Sequence, residues 1–411
     1  MMVRNFLLGL ILFLGLGLGT TVTLADAFSD YRQQQQQQLL GYQQQQQQEY
    51  ERYLKALEEG FAAYKQLYKE EQARFEASIK EIWGDTQDSD RKTWVSYDAD
   101  NRSRNSVNFE SGKVTLELIS DGSTSPAEIK REIEKRLTEL LGTTEKGAYE
   151  SDRVAKAVEK RLVEQHKEVV EQGEPSDKKA LLTPLVGEKP LNEPQRQQLS
   201  KQLLGEATVS IKPNPADKEK KITKVEFDLP PRLEAKVRPL LVRAEEIAAK
   251  EEIPLPLIFA VIESESSFNP RAKSHIPAYG LMQIVPNSAG KDATAYLFGK
   301  AKVLTPSYLY DSDKNIAIGG AYLHILFYRY LKAVENPTSR LFCTIAAYNT
   351  GAGNVARAFT GDSRSVNKAA PMINSLTPQQ VYQRLKRDLP YDETRRYIEK
   401  VSTRMGKYQG L

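Results

Sequence analysis

The chain has 411 residues, enough for two domains that each bury a core. Its 58 basic and 54 acidic residues leave a formal charge of +4 with no concentrated basic block, which argues against a nucleic-acid partner and for an ordinary solvated surface. Cys343 is the only cysteine, which excludes an intrachain disulfide and a metal cage of cysteines; among Leu341, Phe342 and Ile345 it reads as a small buried hydrophobe.

At the N-terminus Arg4 precedes an apolar run from Phe6 to Leu18, and Ala25-Asp26-Ala27 offers a small-residue cleavage site. This is the pattern of an export signal over residues 1–27, which places the mature protein in the periplasm or cell envelope. A retained anchor, and with it membrane association, is the competing reading, because extending the run through Leu24 approaches the roughly twenty residues a spanning helix needs. Two glutamine blocks follow, Gln33 to Gln38 and Gln43 to Gln48, whose composition suits a disordered or loosely helical tether. From Tyr50 to Trp83 the pattern changes. Leu54, Leu57, Phe61, Tyr64, Leu67, Tyr68, Phe75 and Ile79 recur at helical spacing, so the segment 28–83 ends in an amphipathic helix with Gly60 as its weak point. That stripe must pack on the next domain or on a partner helix.

Residues 84–230 read as an α+β domain. Val107 and Phe109 alternate with polar residues, Glu110-Ser111-Gly112 turns the chain, and Val114, Leu116 and Leu118 alternate again, which predicts a hairpin. Charged helices start near Ser125-Pro126 and Ser151-Asp152, and the stretch 173–193 is mostly loop. Strands return with Val209, Ile211 and with Val225, Phe227, Leu229. His166 sits among charges and reads as a solvated surface residue.

Pro230-Pro231 marks a boundary, and 231–411 is helical almost throughout. Leu233, Val237, Leu240, Leu241 and Ile247 suggest one helix face. Ile316 to Leu331 is apolar nearly all round and predicts the central buried helix, its Gly319-Gly320 pair permitting close packing and its His324 a core histidine with a satisfied nitrogen. Asn336-Pro337 and the capping box of Thr377-Pro378-Gln379-Gln380 open two more helices. Between them lies the chemistry. The apolar run Ile258 to Ile262 predicts a buried helix that ends at Glu263 and Glu265, ahead of Phe268-Asn269-Pro270. A carboxyl at the end of a buried helix is partly desolvated, which disfavours its charged form and lets it hold a proton near neutral pH.

Glu-Ser-x-Phe-Asn-Pro at 265–270, Ser274, Gly-Leu-Met-Gln at 280–283 and Ala-Tyr-Asn at 347–349 resemble the lytic murein transglycosylases. Asn336-Pro337-Thr338-Ser339-Arg340 and Arg395-Arg396-Tyr397 are similar to the membrane-bound C branch of that family. The likeness runs from Leu233 to Tyr408, with a weaker one at Ile82-Trp83-Gly84 and Val107-Asn108-Phe109. The resemblance implies an α+β N-terminal domain followed by an all-α lysozyme-like catalytic domain that acts on peptidoglycan glycan strands, with no metal and no cofactor. Binding of peptidoglycan or of a cell-wall protein partner by the N-terminal domain is an analogy of the same kind. Members of the C branch are lipoproteins, which need a cysteine just after the apolar run; none stands there, so lipid anchoring does not carry over.

Glycoside cleavage usually needs two carboxylates. Asp292, Asp311, Asp313, Asp388, Asp392 and Glu393 all sit in polar surroundings and read as surface charges, which leaves one acid. Cleavage assisted by the substrate is a known exception to the pair rule. The family resemblance implies that Glu265 protonates the bond between N-acetylmuramic acid and N-acetylglucosamine, then takes the proton of the muramyl 6-hydroxyl as a 1,6-anhydro ring closes. It implies substrate-binding roles for Ser274, Met282, Gln283, Tyr348, Asn349 and Tyr397. By residue type alone Met282 also fits core filling, and Asn349 with Gly351 fits a helix C-cap. Glu263 points to a different helix face and reads as a solvent-facing charge. The glycines of 351–353 follow no strand and lack a dinucleotide-binding context. A lysozyme-type hydrolase and a non-catalytic murein-binding scaffold are the alternatives.

Overall fold

The computed structural model describes residues 24–187, 189–229, 232–275 and 277–411. The apolar run read as an export signal and the Pro230-Pro231 boundary lie outside them. The chain falls into two compact units, Met1–Lys55 and Ala56–Leu411.

The described residues of the first unit belong to helix α1 (Leu24–Trp83). The glutamine blocks are therefore regular helix, one of the two states, disordered or loosely helical, that their composition leaves open. Glutamine is a good helix former, and i,i+4 pairs reinforce it: Gln45 Nε2 donates to Glu49 Oε1 at 2.9 Å and Gln47 Nε2 to Glu51 Oε1 at 2.8 Å.

The second unit starts with the remainder of α1, whose apolar stripe is buried at Leu57, Tyr64, Leu67, Ile79 and Trp83. Strands β1 (Thr93–Tyr97), β2 (Ser103–Asn108) and β3 (Lys113–Asp121) follow. Then come helices α2 (Pro126–Leu141), α3 (Glu145–Glu150) and α4 (Arg153–His166), strand β4 (Val170–Glu171), helices α5 (Thr183–Val186) and α6 (Glu193–Glu206), and strands β5 (Thr208–Pro213) and β6 (Lys220–Asp228). The sheet is antiparallel with order β1-β2-β3-β6-β5. The predicted hairpin is β2–β3, with Val107 opposite Val114. Its alternation feeds a core in which Trp94, Val107, Phe109, Val114 and Leu116 meet Leu137, Leu140 and Leu141 of α2. A second cluster joins Ile119 and Ile222 to Ile79 and Trp83 of α1. The partner of the α1 stripe is thus the next part of the same chain. Gly60 is where α1 passes closest: a Cβ there would meet Val169 at 3.2 Å and Val303 at 3.3 Å. His166 is half-buried beside it, not fully solvated as expected.

The remaining chain forms the helical body: α7 (Leu233–Glu251), α8 (Leu255–Ser266), α9 (Lys291–Phe298), the short strand β7 (Val303–Leu304), α10 (Pro306–Leu309), α11 (Ser312–His324), α12 (Pro337–Thr350), α13 (Ala352–Thr360), α14 (Val366–Asn374), α15 (Pro378–Asp388) and α16 (Asp392–Met405). β7 pairs in parallel with β4. An α+β part followed by a helical body is the architecture the sequence predicts. α11, continued by a π-helical turn at Ile325–Tyr330, is the buried central element. A Cβ on Gly320 would stand 2.3 Å from Ile247 Cγ2, so Gly320 brings α7 and α11 together, while Gly319 faces Met282. His324 Nδ1 is satisfied by the Glu251 carbonyl at 2.9 Å. Leu233, expected on the buried face of α7, is exposed, and α7 buries Lys236 instead, whose Nζ donates to the Phe109 carbonyl at 2.7 Å. Among the described residues no helix is long and apolar enough to cross a membrane.

Candidate active site

Helix α8 is buried along Leu257 to Ile262, which leaves its last turn as the place where a polar side chain can emerge. Directly after it, Ser267 and Phe268 both take left-handed φ values, 55° and 69°. Two such residues in a row are costly for L-amino acids and persist only where the surroundings enforce them. Phe268 is fully buried and stacked on Phe259, and Asn269 Oδ1 accepts the Arg271 N–H at 2.9 Å. The Ser-x-Phe-Asn-Pro motif is thus a sharp reversal that walls off the helix end.

Glu265 stands at that end, 6% exposed. Burial pushes its carboxyl up to about 7; the Tyr397 hydroxyl, Arg91 and Lys400 pull against that push, and Glu393 adds to it. Arg91 Nη1 lies 3.9 Å from Glu265 Oε2. The Tyr397 hydroxyl is close enough to lower the Glu265 carboxyl, yet it makes no hydrogen bond of ordinary geometry and is left buried without a firm partner. Glu263, two residues earlier, points elsewhere. It is mostly buried, where a solvent-facing charge was expected, and is held by Lys407 Nζ and the Tyr408 hydroxyl at 2.9 Å each.

The Gly-Leu-Met-Gln segment is a tight turn fastened by Asn315 of α11. Asn315 Nδ2 donates to the Tyr279 and Leu309 carbonyls at 2.8 Å, and its Oδ1 accepts the Met282 N–H at 2.8 Å. Gly280 has φ +74° and a Cβ there would stand 2.3 Å from Asn315 Nδ2, so the position requires glycine. Gln283, with φ +50°, is buried; its Nε2 makes long bonds to the Ala278 and Gly280 carbonyls, and its Oε1 has no partner. Met282 is fully buried with its sulfur packed over Gly319. Its side chain fills core beneath the turn; what reaches the site is its carbonyl, which accepts from the Tyr348 hydroxyl at 2.8 Å.

Tyr348 and Asn349 come from the last turn of α12, Tyr397 from α16. Both tyrosines have pKa values raised well above the ordinary phenol by burial first and by the neighbouring Glu265 next. Asn349 Oδ1 accepts from Thr394 of α16 at 2.6 Å, which ties the two helices together at the site. Ser274 is half-buried on the loop between α8 and the turn, its N–H on the Ala278 carbonyl at 3.2 Å. Glu265, Tyr348 and Tyr397 are therefore gathered at one point, Gln283 belongs to the Met282 turn that Tyr348 holds, and Met282 lies below it.

Three contributors carried no signal in the sequence. Asn315 is an unremarkable residue on a buried helix. Glu393 is the exposed surface charge the sequence suggests, and it also receives the Arg91 Nη2 at 2.9 Å. Arg91 itself belongs to the segment before β1. Among the described residues, no group of three or more His, Cys, Asp or Glu is arranged to hold a metal ion.

Residues 243–370 match the family described as Transglycosylase SLT domain, and residues 58–165 match Membrane-bound lytic murein transglycosylase C, N-terminal domain. The membrane-bound lytic murein transglycosylase C of Photorhabdus laumondii is 33% identical over 340 residues, which cover 82% of this chain and 88% of that protein. Its counterpart in Pectobacterium atrosepticum is 32% identical over 348 residues, with the same shares of 82% and 88%. The crystal structure of the 70 kDa soluble lytic transglycosylase of Escherichia coli aligns with a TM-score of 0.33 at 25% identity, over 43% of this chain and 25% of that one. Sequence identity at that level across most of both chains, with both family descriptions met in order, decides membership: the chain belongs to the lytic murein transglycosylases, in the membrane-bound C branch.

Proposed function

We propose that this peptidoglycan lytic transglycosylase cleaves the bond between N-acetylmuramic acid and N-acetylglucosamine with Glu265 as acid and then base. The observation that carries the reading is the Glu265 carboxyl, buried at the end of α8 and raised to about 7, so that it can hold a proton near neutral pH and also release it. In the first step its proton goes to the glycosidic oxygen, the bond from muramyl C1 to that oxygen breaks, and N-acetylglucosamine leaves with a 4-hydroxyl. The substrate's acetamido oxygen shares the positive charge at C1. In the second step the muramyl 6-oxygen bonds to C1, and its proton returns to the Glu265 carboxylate. Water is neither added nor lost, and the enzyme ends as it began.

The neighbouring groups suit supporting roles. Gln283 offers a buried Oε1 with no partner, an acceptor for a sugar N–H or hydroxyl. Tyr397 offers a hydroxyl facing the acid, and Tyr348 fixes the Met282 carbonyl beside it. Ser274 and Asn349 are assigned to the substrate on the family motif. An export signal over residues 1–27, a helical segment over 28–83, an α+β domain over 84–230 and a catalytic domain over 231–411 complete the reading, with the cell envelope as the place of action.

Mass spectrometry of the products released from purified sacculi tests it. Muropeptides ending in 1,6-anhydro-N-acetylmuramic acid, absent with Glu265→Gln, are expected. Products heavier by one water, with reducing ends, would make the enzyme a hydrolase and remove the second step.

A further inference from the structure

Arg91 belongs to none of the motifs above, yet its backbone is fixed from two sides. Asp90 Oδ1 accepts the N–H groups of Lys92 and Thr93 at 2.7 Å each, a turn that leads into β1. The same turn is fastened to the loop behind the acid: Lys273 N–H donates to the Asp90 carbonyl at 3.3 Å, and Asn269 Nδ2 to the Arg91 carbonyl at 3.5 Å. The guanidinium thus starts from a point held relative to Glu265. It is then shared between two carboxylates, with Nη2 on Glu393 Oε1 at 2.9 Å and Nη1 3.9 Å from Glu265 Oε2. Glu393 lies in the first turn of α16, one turn ahead of Tyr397, so the two occupy the same helix face.

We propose that Arg91 is a positioning residue of the active site: carried in from the sheet side and shared with Glu393, it is the counter-charge for the ionised form of Glu265, the form that must accept the 6-hydroxyl proton. The inference rests on the acid-then-base reading of Glu265. Burial alone favours the protonated acid and penalises the carboxylate that follows it. A cation beside the carboxyl offsets part of that penalty. The Arg91 side chain is 43% exposed, so solvent screens the interaction and its effect is moderate.

The other groups that act on Glu265 come from two helices: Tyr397, Lys400 and Glu393 from α16, and Tyr348 from α12. α7, packed on the other flank of α8, sends its Lys236 to the Phe109 carbonyl, and the turn after α16 sends Lys407 and Tyr408 to Glu263. Arg91 is thus the cation that the sheet side supplies, and Glu393 is the like charge that opposes it.

The test is the pH dependence of muropeptide release from sacculi by the full chain, with Arg91→Ala, Arg91→Lys and Glu393→Gln. Activity falls at high pH as Glu265 loses its proton. Removing the guanidinium should move that alkaline limb up by roughly one pH unit and lower turnover about tenfold. Arg91→Lys, which keeps the charge, should restore most of both. Glu393→Gln should move the limb the other way, down, because it removes a like charge and leaves Arg91 to Glu265. In Arg91→Ala and Glu393→Gln, limbs that coincide with the parent or that move together would reduce Arg91 to a structural link and overturn the proposal. If Arg91→Ala fails to fold, Arg91→Gln, which keeps a hydrogen-bonding side chain without the charge, replaces it with the same expected and overturning outcomes. Glu265→Gln is assayed in parallel. Residual activity there would sink the acid reading itself, whereas an inactive Glu265→Gln with unmoved limbs would sink only the role of Arg91.

Discussion

The Tyr348 hydroxyl donates to the Met282 carbonyl at 2.8 Å, a bond that joins the end of α12 to the Gly-Leu-Met-Gln turn. Through it, one side chain fixes the separation between the wall that carries Asn349 and the turn that carries Gln283. Tyr348 is also near enough to Glu265 for the carboxylate to raise the phenol further, so the same residue borders the acid. Tyr348→Phe keeps the ring and removes the bond. We expect a stability loss of about 1 kcal/mol in chemical denaturation and a fall in turnover on sacculi larger than any change in the apparent affinity for them. A variant with unchanged turnover would show that the turn holds without this bond.

Two buried glutamates should make stability fall as pH rises. Glu145 of α3 is buried against Ser312 of α11, whose hydroxyl donates to it, and burial raises its carboxyl to about 7; Glu265 is raised to about 7 as well. Both values exceed those of the unfolded chain, roughly 4.3. Between those limits the native state binds more protons than the unfolded one, so stability declines from about pH 4.5 upward and levels off above about pH 7 to 8. Glu145→Gln keeps an acceptor for Ser312 without the charge, and should gain on the order of 1 to 3 kcal/mol at pH 8 with little change at pH 4.5. Glu265→Gln should show the same gain while losing activity. Thermal unfolding midpoints of the three proteins across pH 4.5 to 8 would check this; parallel curves for parent and variants would contradict it.

Gly319 should be intolerant of any side chain. A Cβ there would lie 2.2 Å from Met282 Sδ, 2.6 Å from its Cε and 3.0 Å from its Cβ, and Met282 is itself fully buried. Gly319→Ala would displace Met282 and with it the carbonyl that Tyr348 holds. A loss of roughly 1 to 3 kcal/mol is expected, with reduced activity at temperatures where the protein is still folded. Gly319→Ala combined with Met282→Ala, which vacates the space, should recover part of the stability; strictly additive losses would exclude the clash as the cause.

Local patterns in the sequence were sufficient for what depends on local physics. The apolar run Ile258 to Ile262 marks a buried helix, Asn336-Pro337 and Thr377-Pro378 mark helix starts, and the alternation through Val107 and Leu118 marks the β2–β3 hairpin. Periodicity, caps and turn residues act within a few positions, so they can be read in order along the chain. The sequence also separates the two glutamates, and the structure gives them different surroundings: Glu265 is buried at the end of α8, whereas Glu263 is held by Lys407 and Tyr408. The glutamine blocks stay open between disorder and helix at that level, because composition says what cannot pack but not whether it is helical; the structure shows helix, with i,i+4 bonds along it.

What only the tertiary structure decided is the environment of the acid. Arg91 and Glu393 are 302 residues apart and meet at Glu265; Asn315 holds the Met282 turn from another helix; Met282 faces down into the core beneath that turn. The sequence marks Glu265 as a carboxyl at the end of an apolar helix. How far it is desolvated, and which charges offset that, depends on segments brought together by folding, because Coulomb interactions and burial follow distance in space and not separation along the chain.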